Sequence, residues 1–356
     1  MEQSEITNMI YLLQKALRSK SRDQLKKLVS KLVNQENPDI PVNATEGTEY
    51  SPLMEDINQI LESETLTRGK YYVRRLMKAL TESRTNGIND INLYRWKEYD
   101  DVLTDSLWKF DRRDTSGSHL GWYWGNFVPQ IPHQVIIRFT RKGDWVLDPF
   151  AGSGTTLIES IRLGRNSIGV ELNENTVNRA KPTIEKERKP RDIKWLMEVG
   201  DSTKVNFSSL LKENGISKVQ LVIMHPPYFD IIKFSDRKTD LSNAPSLKSF
   251  IRDFGKVVNR TYSVLQDGRY LVLVAGDKYQ NGEWIPLGFY LMEEVLKHGY
   301  KLTGIIVKNF EDTRAKRDQK ELWRYRALAG GFFVFKHEYI FIFKKTSEKS
   351  SGADRV

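Results

Sequence analysis

Residues 145–157 read Trp-Val-Leu-Asp-Pro-Phe-Ala-Gly-Ser-Gly-Thr-Thr-Leu. Trp145–Leu147 is a short apolar run that predicts a strand, and Thr155 opens a helical pattern. Between them, Asp148, Pro149 and Phe150 leave the strand, and Gly152 and Gly154 form a tight turn. Glycines there let the backbone approach a ligand, and the helix start offers free N–H groups. The next strand candidate, Ser167–Val170, ends in Glu171, 23 positions after Asp148. An acid at that place is positioned to hydrogen-bond the two hydroxyls of a ribose. A dinucleotide fingerprint would need a third glycine where Leu157 stands, and a Gly-Lys-Ser/Thr phosphate loop is absent.

The same pattern continues outward. Further strand candidates are Trp195–Val199, Val219–Met224, Tyr270–Val274, Leu302–Val307 and Tyr339–Phe343, with helices over 155–163, 174–188, 247–266 and 287–298. Strands alternating with helices predict an α/β fold with a mostly parallel sheet. The unbroken apolar run Leu271–Val274 suits a strand covered on both faces. Residues 1–120 read differently, as a helical accessory region. Ile6, Ile10, Leu13 and Leu17 share one helical face. Ser21 and Gln24 resemble a capping box before Leu25, Leu28, Val29 and Leu32. Residues 35–52 read as a loop, two more helices follow near 53–63 and 70–84, and 85–120 show no period.

A second stretch carries chemistry. The apolar Gln220–Met224 runs into His225-Pro226-Pro227-Tyr228. Two prolines fix φ and remove N–H donors, so this loop is stiff. It holds the His225 side chain, the carbonyls and the Tyr228 ring in set positions at a strand's carboxyl end, where open α/β sheets bind ligands.

Composition narrows the classes. The 356 residues include 56 Lys and Arg against 46 Asp and Glu, a net charge of +10, and no cysteine. Residues 1–120 are nearly neutral, so the excess lies in the remainder and suggests an acidic partner, nucleic acid first. Without cysteine there is no disulfide framework, thiolate metal site or cysteine nucleophile, and the few histidines show no ligand spacing, so no metal is expected. The N-terminus has no apolar signal-peptide core and no run is long enough to span a membrane, which points to a cytoplasmic protein.

By its residues, Asp-Pro-Phe-Ala-Gly-Ser-Gly-Thr-Thr resembles motif I of the amino-methyltransferases that use S-adenosylmethionine, and His225-Pro226-Pro227-Tyr228 resembles their motif IV, about 75 residues later. The resemblance covers roughly residues 125–345. It implies a Rossmann-like methyltransferase fold, a seven-stranded mostly parallel sheet with an antiparallel last strand, over 121–346, followed by a polar tail, 347–356. It implies that the cofactor is held by Asp148, Pro149, Phe150, Gly152, Gly154 and Thr155, that Glu171 binds its ribose, and that Asp201 caps its adenine. Pro129 and Gln130 resemble the segment that closes over its methionine part, and His337-Glu338-Tyr339 the start of the closing hairpin. His225 stands where Asp, Asn or Ser is usual.

Methylation of cytosine C5 needs a cysteine nucleophile and is excluded. Methylation of an exocyclic amino group needs only acceptors for its protons. Neutral His225 and the Pro226 carbonyl would supply them, Tyr228 would stack on the base, and the step would fail as pH falls through about 6.5. The implied activity is DNA methylation at cytosine N4 or adenine N6, the non-acidic position 225 favouring cytosine, in a restriction–modification setting with a possible cognate endonuclease. An RNA amino-methyltransferase and a degenerate nucleic-acid-binding homologue are the alternatives. Candidate DNA contacts are Lys233, Arg237 and Lys238, and the basic, aromatic stretch 308–336 with Lys308, Arg314, Lys316, Arg317, Trp323 and Arg324. Arg112, Arg113 and His119 are weaker candidates.

Overall fold

Leu13, Leu25, Ile57 and Val73 each lie on an apolar helical stripe, and all four are fully buried in one core. The computed structural model describes residues 3–36, 51–187, 192–310 and 320–346. The expected loop between 37 and 50, the basic residues Arg314, Lys316 and Arg317, and the tail 347–356 lie outside them. The chain divides into two units, residues 1–87 with 91–101, and residues 88–90 with 102–356.

The first unit holds α1 (Gln3–Leu17), α2 (Arg22–Glu36), α3 (Pro52–Glu62) and α4 (Leu66–Thr81). On α1 the innermost residues are Met9, Leu13 and Ala16, with Ile6, Ile10 and Leu17 at the margin. Ser21 Oγ accepts from the Gln24 amide, but the Gln24 side chain accepts from the Lys20 amide rather than that of Ser21, so the box is offset by one residue. Ser51 and Thr65 cap α3 and α4 through the amides of Met54 and Arg68.

Residues 102–120, expected with the helical region, pack with the second unit. Leu107–Trp108 forms β1, pairing in parallel with Val307–Lys308, and Trp108 is fully buried in a cluster with Phe127 and Ile131. A two-residue strand is too short to show alternation, which is why this segment reads as patternless.

The rest of the second unit follows as α5 (Gln130–Phe139), β2 (Trp145–Asp148), α6 (Thr155–Arg162), β3 (Asn166–Glu171), α7 (Glu174–Glu185), β4 (Trp195–Val199), α8 (Phe207–Glu213), β5 (Val219–Met224), α9 (Leu247–Val264) and β6 (Leu265–Ala275). A small hairpin comes next, β7 (Lys278–Gln280) and β8 (Glu283–Ile285), then α10 (Leu287–Leu296), β9 (Tyr300–Asn309), α11 (Lys320–Gly330) and β10 (His337–Lys345). The sheet has eight strands in the order β1-β9-β10-β6-β5-β2-β3-β4, one more than the expected seven because β1 extends the edge. Among the described strands of this sheet, only β10 runs antiparallel to its neighbours.

Both faces of the sheet are covered. Leu147, Val222, Met224, Leu271 and Leu273 pack under α8, α9 and α10, whereas Val146, Leu221, Ile223, Val272 and Val274 pack under α5. Continuous apolar strands are the consequence. From β2 the chain turns to one side for β3 and β4 and to the other for β5 and β6, so the sheet switches direction between β2 and β5. That is where an open α/β sheet leaves a crevice at its carboxyl edge. No described helix is long and apolar enough to cross a membrane.

Candidate active site at the carboxyl edge of the sheet

The loops leaving β2, β3, β4 and β5 converge on one cavity of about 940 Å³. Pro149, Phe150, Gly152 and Thr155 line it from the glycine turn, Glu171 from the end of β3, Asp201 from the loop after β4, and His225, Pro226, Pro227 and Tyr228 from the loop after β5. Lys308 and Glu338 complete the wall from β9 and β10.

The glycine turn is held from below. Asp148 is buried, and its Oδ1 accepts the Phe150 amide at 2.8 Å while Oδ2 accepts the Thr156 hydroxyl at 2.5 Å. Burial raises its pKa to about 7. Asp148 therefore braces the turn and does not line the cavity. Gly152 has φ +52°, and a Cβ there would meet the Tyr123 ring at 2.9 Å. Gly154 has φ +82°, and a Cβ there would meet Ile184 at 2.6 Å, so this glycine serves the packing of α6 on α7 and not a ligand. Glu171 Oε2 accepts the Gly152 amide and Oε1 the Asn173 amide, both at 2.9 Å, and burial raises the pKa of this carboxyl.

Pro129 and Gln130 stand apart from the cavity wall. Gln130 opens α5 and bonds the Asp114 amide and the Arg112 carbonyl, while Phe127 and Val128 line the cavity in their place. Of the weaker nucleic-acid candidates, half-buried Arg113 and buried His119 line the cavity instead. Arg113 Nη1 donates to the Phe127 carbonyl at 2.8 Å. His119 Nε2 lies 2.6 Å from Glu159, which also meets His133 at 2.7 Å. Burial pushes the Glu159 carboxyl up, but the hydrogen bonds with the two histidines outweigh it and hold the pKa below the usual range.

On the other side of the cavity His225 meets the edge of Phe127, ring centroids 4.9 Å apart. Its Nε2 lies 3.1 Å from the Tyr228 hydroxyl. That hydroxyl donates to Glu338 Oε2 at 3.0 Å, and Glu338 Oε1 lies 3.2 Å from the Lys308 ammonium. Burial lowers the His225 pKa to about 4, with Glu338 opposing and Lys308 adding to the effect. The imidazole is thus neutral at physiological pH, and the loss of its acceptor is moved from about 6.5 to about 4. Tyr228 packs one edge on Gly276, where a Cβ would lie 2.8 Å away. The next residue, Phe229, has φ +55°, a strained conformation for a bulky side chain, and leaves its ring on Phe250 with the Lys278 ammonium 4.8 Å away.

The cofactor expected from the resemblance can be tested against these groups. Asp201 Oδ1 holds the Thr203 amide and hydroxyl, but the buried Oδ2 has only the Lys204 ammonium at 3.2 Å and no hydrogen bond. An unfilled acceptor on this wall suits an adenine amino group, and Glu171 faces the same cavity with two oxygens. The residues present fit S-adenosylmethionine.

The expected nucleic-acid residues differ in their surroundings. Lys233 pairs with Asp236 at 2.6 Å, Arg237 donates to the Leu172 carbonyl at 3.0 Å, and Lys238 is exposed. On α11, Arg324 is exposed and Trp323 is half-buried beneath the Arg326 guanidinium, 5.2 Å from its ring. Tyr325 and Phe333 are exposed nearby in sequence. Lys308, read as part of this basic stretch, is buried in the cavity wall instead.

Comparison with known proteins places the chain. The sequence profile of the N6_N4_Mtase family, a DNA methylase family, matches residues 13–182 and 219–355. The Type II methyltransferase M.MjaII of Methanocaldococcus jannaschii is 33% identical over 96 residues, 27% of this chain and 18% of that protein. M.MjaI of the same organism is 47% identical over 60 residues, 17% of this chain and 18% of that protein. M2.DpnII of Streptococcus pneumoniae is 31% identical over 121 residues, 33% of this chain and 37% of that protein. The first relatives are thus matched over at most 18% of their own length. The family match takes in both the glycine turn and the His-Pro-Pro-Tyr loop, and the chain belongs to this family of DNA methylases.

Proposed function

We propose that the protein transfers a methyl group from S-adenosylmethionine to an exocyclic amino group of a base flipped out of DNA, cytosine N4 first and adenine N6 second. One observation carries the reading. His225, a neutral, half-buried acceptor, shares a cavity with Glu171 and Asp201, the acids suited to the ribose and adenine of the cofactor.

The bound cofactor supplies an electrophilic methyl group. The chain's own residues prepare the amino group to receive it. Its lone pair is delocalised into the base, and acceptors that hold its two protons free that pair for attack. His225 accepts a hydrogen bond from one amino N–H through a ring nitrogen, and the Pro226 carbonyl, on a backbone stiffened by Pro227, accepts one from the other. Once the N–CH3 bond has formed, the surplus N–H proton passes through the His225 nitrogen to solvent. Tyr228, one ring edge resting on Gly276, would stack on the base. These are positioning and electrostatic effects, and they need no covalent intermediate. Flipping costs roughly a few kcal/mol, which stacking and the two acceptors offset.

Exposed Lys238 and Arg324, with Arg237, supply contacts for the phosphates. The names of the Type II relatives support a restriction–modification setting, and a cognate endonuclease and a cytoplasmic location are part of the same proposal. The test is mass spectrometry of nucleosides after expression in a host free of DNA methylation. N4-methylcytosine or N6-methyladenine in DNA is expected. Unmodified DNA, or methyl groups found only in RNA, overturns the reading.

A further inference from the structure

A carboxylate or amide oxygen at position 225 would be an acceptor whatever its surroundings. A neutral imidazole is not, because one of its two nitrogens carries a proton. The histidine therefore creates a requirement that the usual residues do not have. Something must decide which nitrogen is bare.

The hydrogen bonds around His225 decide it. Tyr228 has a single hydroxyl proton. The Glu338 carboxylate, paired at Oε1 with the Lys308 ammonium at 3.2 Å, offers only acceptors. The Tyr228 proton therefore goes to Glu338 Oε2 at 3.0 Å. What the hydroxyl has left for His225 Nε2, 3.1 Å away, is a lone pair, so Nε2 must be the donor. Nδ1 is then the bare nitrogen, and among the described residues it has no hydrogen-bond partner. The alignment is built into the sheet, because Glu338 and Lys308 are direct register partners across β10 and β9. Both side chains are at least nine-tenths buried.

We propose that Glu338, held by Lys308, is a positioning residue that fixes the His225 proton on Nε2 through Tyr228 and so leaves Nδ1 as the acceptor for the target amino group. The proposal rests on the amino-methyltransferase reading. Without Glu338 the Tyr228 hydroxyl is free to donate to Nε2. The ring proton would then move to Nδ1 and meet the amino group donor to donor.

The test is nitrogen NMR of the full chain labelled with 15N-histidine, without DNA, the His225 signals being assigned by their loss in His225→Asn. Wild type should show a protonated Nε2 and a lone-pair Nδ1. Glu338→Leu should populate the Nδ1-protonated form, and single-turnover methylation should fall by roughly 100-fold or more. Calorimetry with S-adenosylhomocysteine should give unchanged affinity, which shows that the variant is folded. A wild-type His225 protonated on Nδ1 overturns the proposal without any variant. So does a Glu338→Leu protein that keeps the tautomer, or one that loses it and keeps the rate. Failure of the wider reading looks different, as unmodified DNA with the tautomer still on Nε2.

Discussion

Glu171 Oε2 accepts the backbone N–H of Gly152 at 2.9 Å, so the end of β3 pins the turn that leaves β2. The acid suited to the ribose also shapes the glycine turn beside it. Glu171→Gln removes one acceptor and sets an amide N–H against a backbone N–H, at a cost of roughly 1–3 kcal/mol. Calorimetric affinity for S-adenosylhomocysteine should weaken about tenfold or more. Unchanged affinity would remove Glu171 from the cofactor site.

Because burial lowers the His225 pKa to about 4, the chemical step should be insensitive to pH over most of the accessible range. The imidazole loses its acceptor only when protonated. The single-turnover rate should therefore stay level from pH 8 to about 5 and drop near 4. A drop centred near 6.5 would show an exposed, ordinary histidine. Stability has its own slope. The unfolded chain binds the His225 proton more readily, so this group's contribution is present above about 6.5 and is lost as pH falls toward 4.

Asp148 gives the opposite slope. Its carboxyl is raised from an ordinary 3.8 to about 7, so the folded state holds the proton more tightly than the unfolded state. Its contribution is fully present below about 4 and is lost as pH rises toward 7. Asp148→Asn keeps an acceptor for Phe150 and removes the titration. The stability of wild type relative to the variant, from urea unfolding, should decline between pH 4 and 7. A constant difference would mean that the carboxyl titrates normally.

Gly276 is the floor on which Tyr228 rests. A Cβ there would lie 2.8 Å from the ring, so Gly276→Ala must shift the tyrosine. Single-turnover methylation should fall by roughly tenfold to 100-fold. Affinity for S-adenosylhomocysteine should hold, because the role proposed for Tyr228 is to stack on the base, and the cofactor acids Glu171 and Asp201 are left in place.

Lys238 and Arg324 should act through charge alone. Each replacement by Ala should reduce the slope of log binding constant against log salt by about 0.9 for duplex DNA. A slope that does not move would take that residue off the phosphate path.

What could be read from residues alone follows from how each signal arises. Leu271–Val274 declared a strand because both faces of the sheet are covered, and each of the four side chains is fully buried. The glycine turn and the His-Pro-Pro-Tyr loop declared themselves by residue type. The β7–β8 hairpin carried a local signal that went unread, Asn281-Gly282 with φ +54° and +82°, a turn whose twist matches the flanking strands. Glu338 and Lys308 carried none. Their role depends on the pairing of β9 with β10 and on Tyr228, 110 residues before Glu338. The depressed pKa of His225 was equally out of reach, since it reflects burial among groups from distant strands. Lys308 looked like one more cation in a basic stretch, and only burial separates it from its neighbours.

The pairing of β1 with β9 joins Leu107 to Val307, two positions 200 residues apart. During synthesis the segment around Trp108 therefore emerges long before its partner strand exists. The Trp108 side chain can meet Phe127 and Ile131 early, but its place in the sheet must wait until most of the unit is made. The outermost strand of the sheet is thus among the first parts of this unit to leave the ribosome and among the last to be placed.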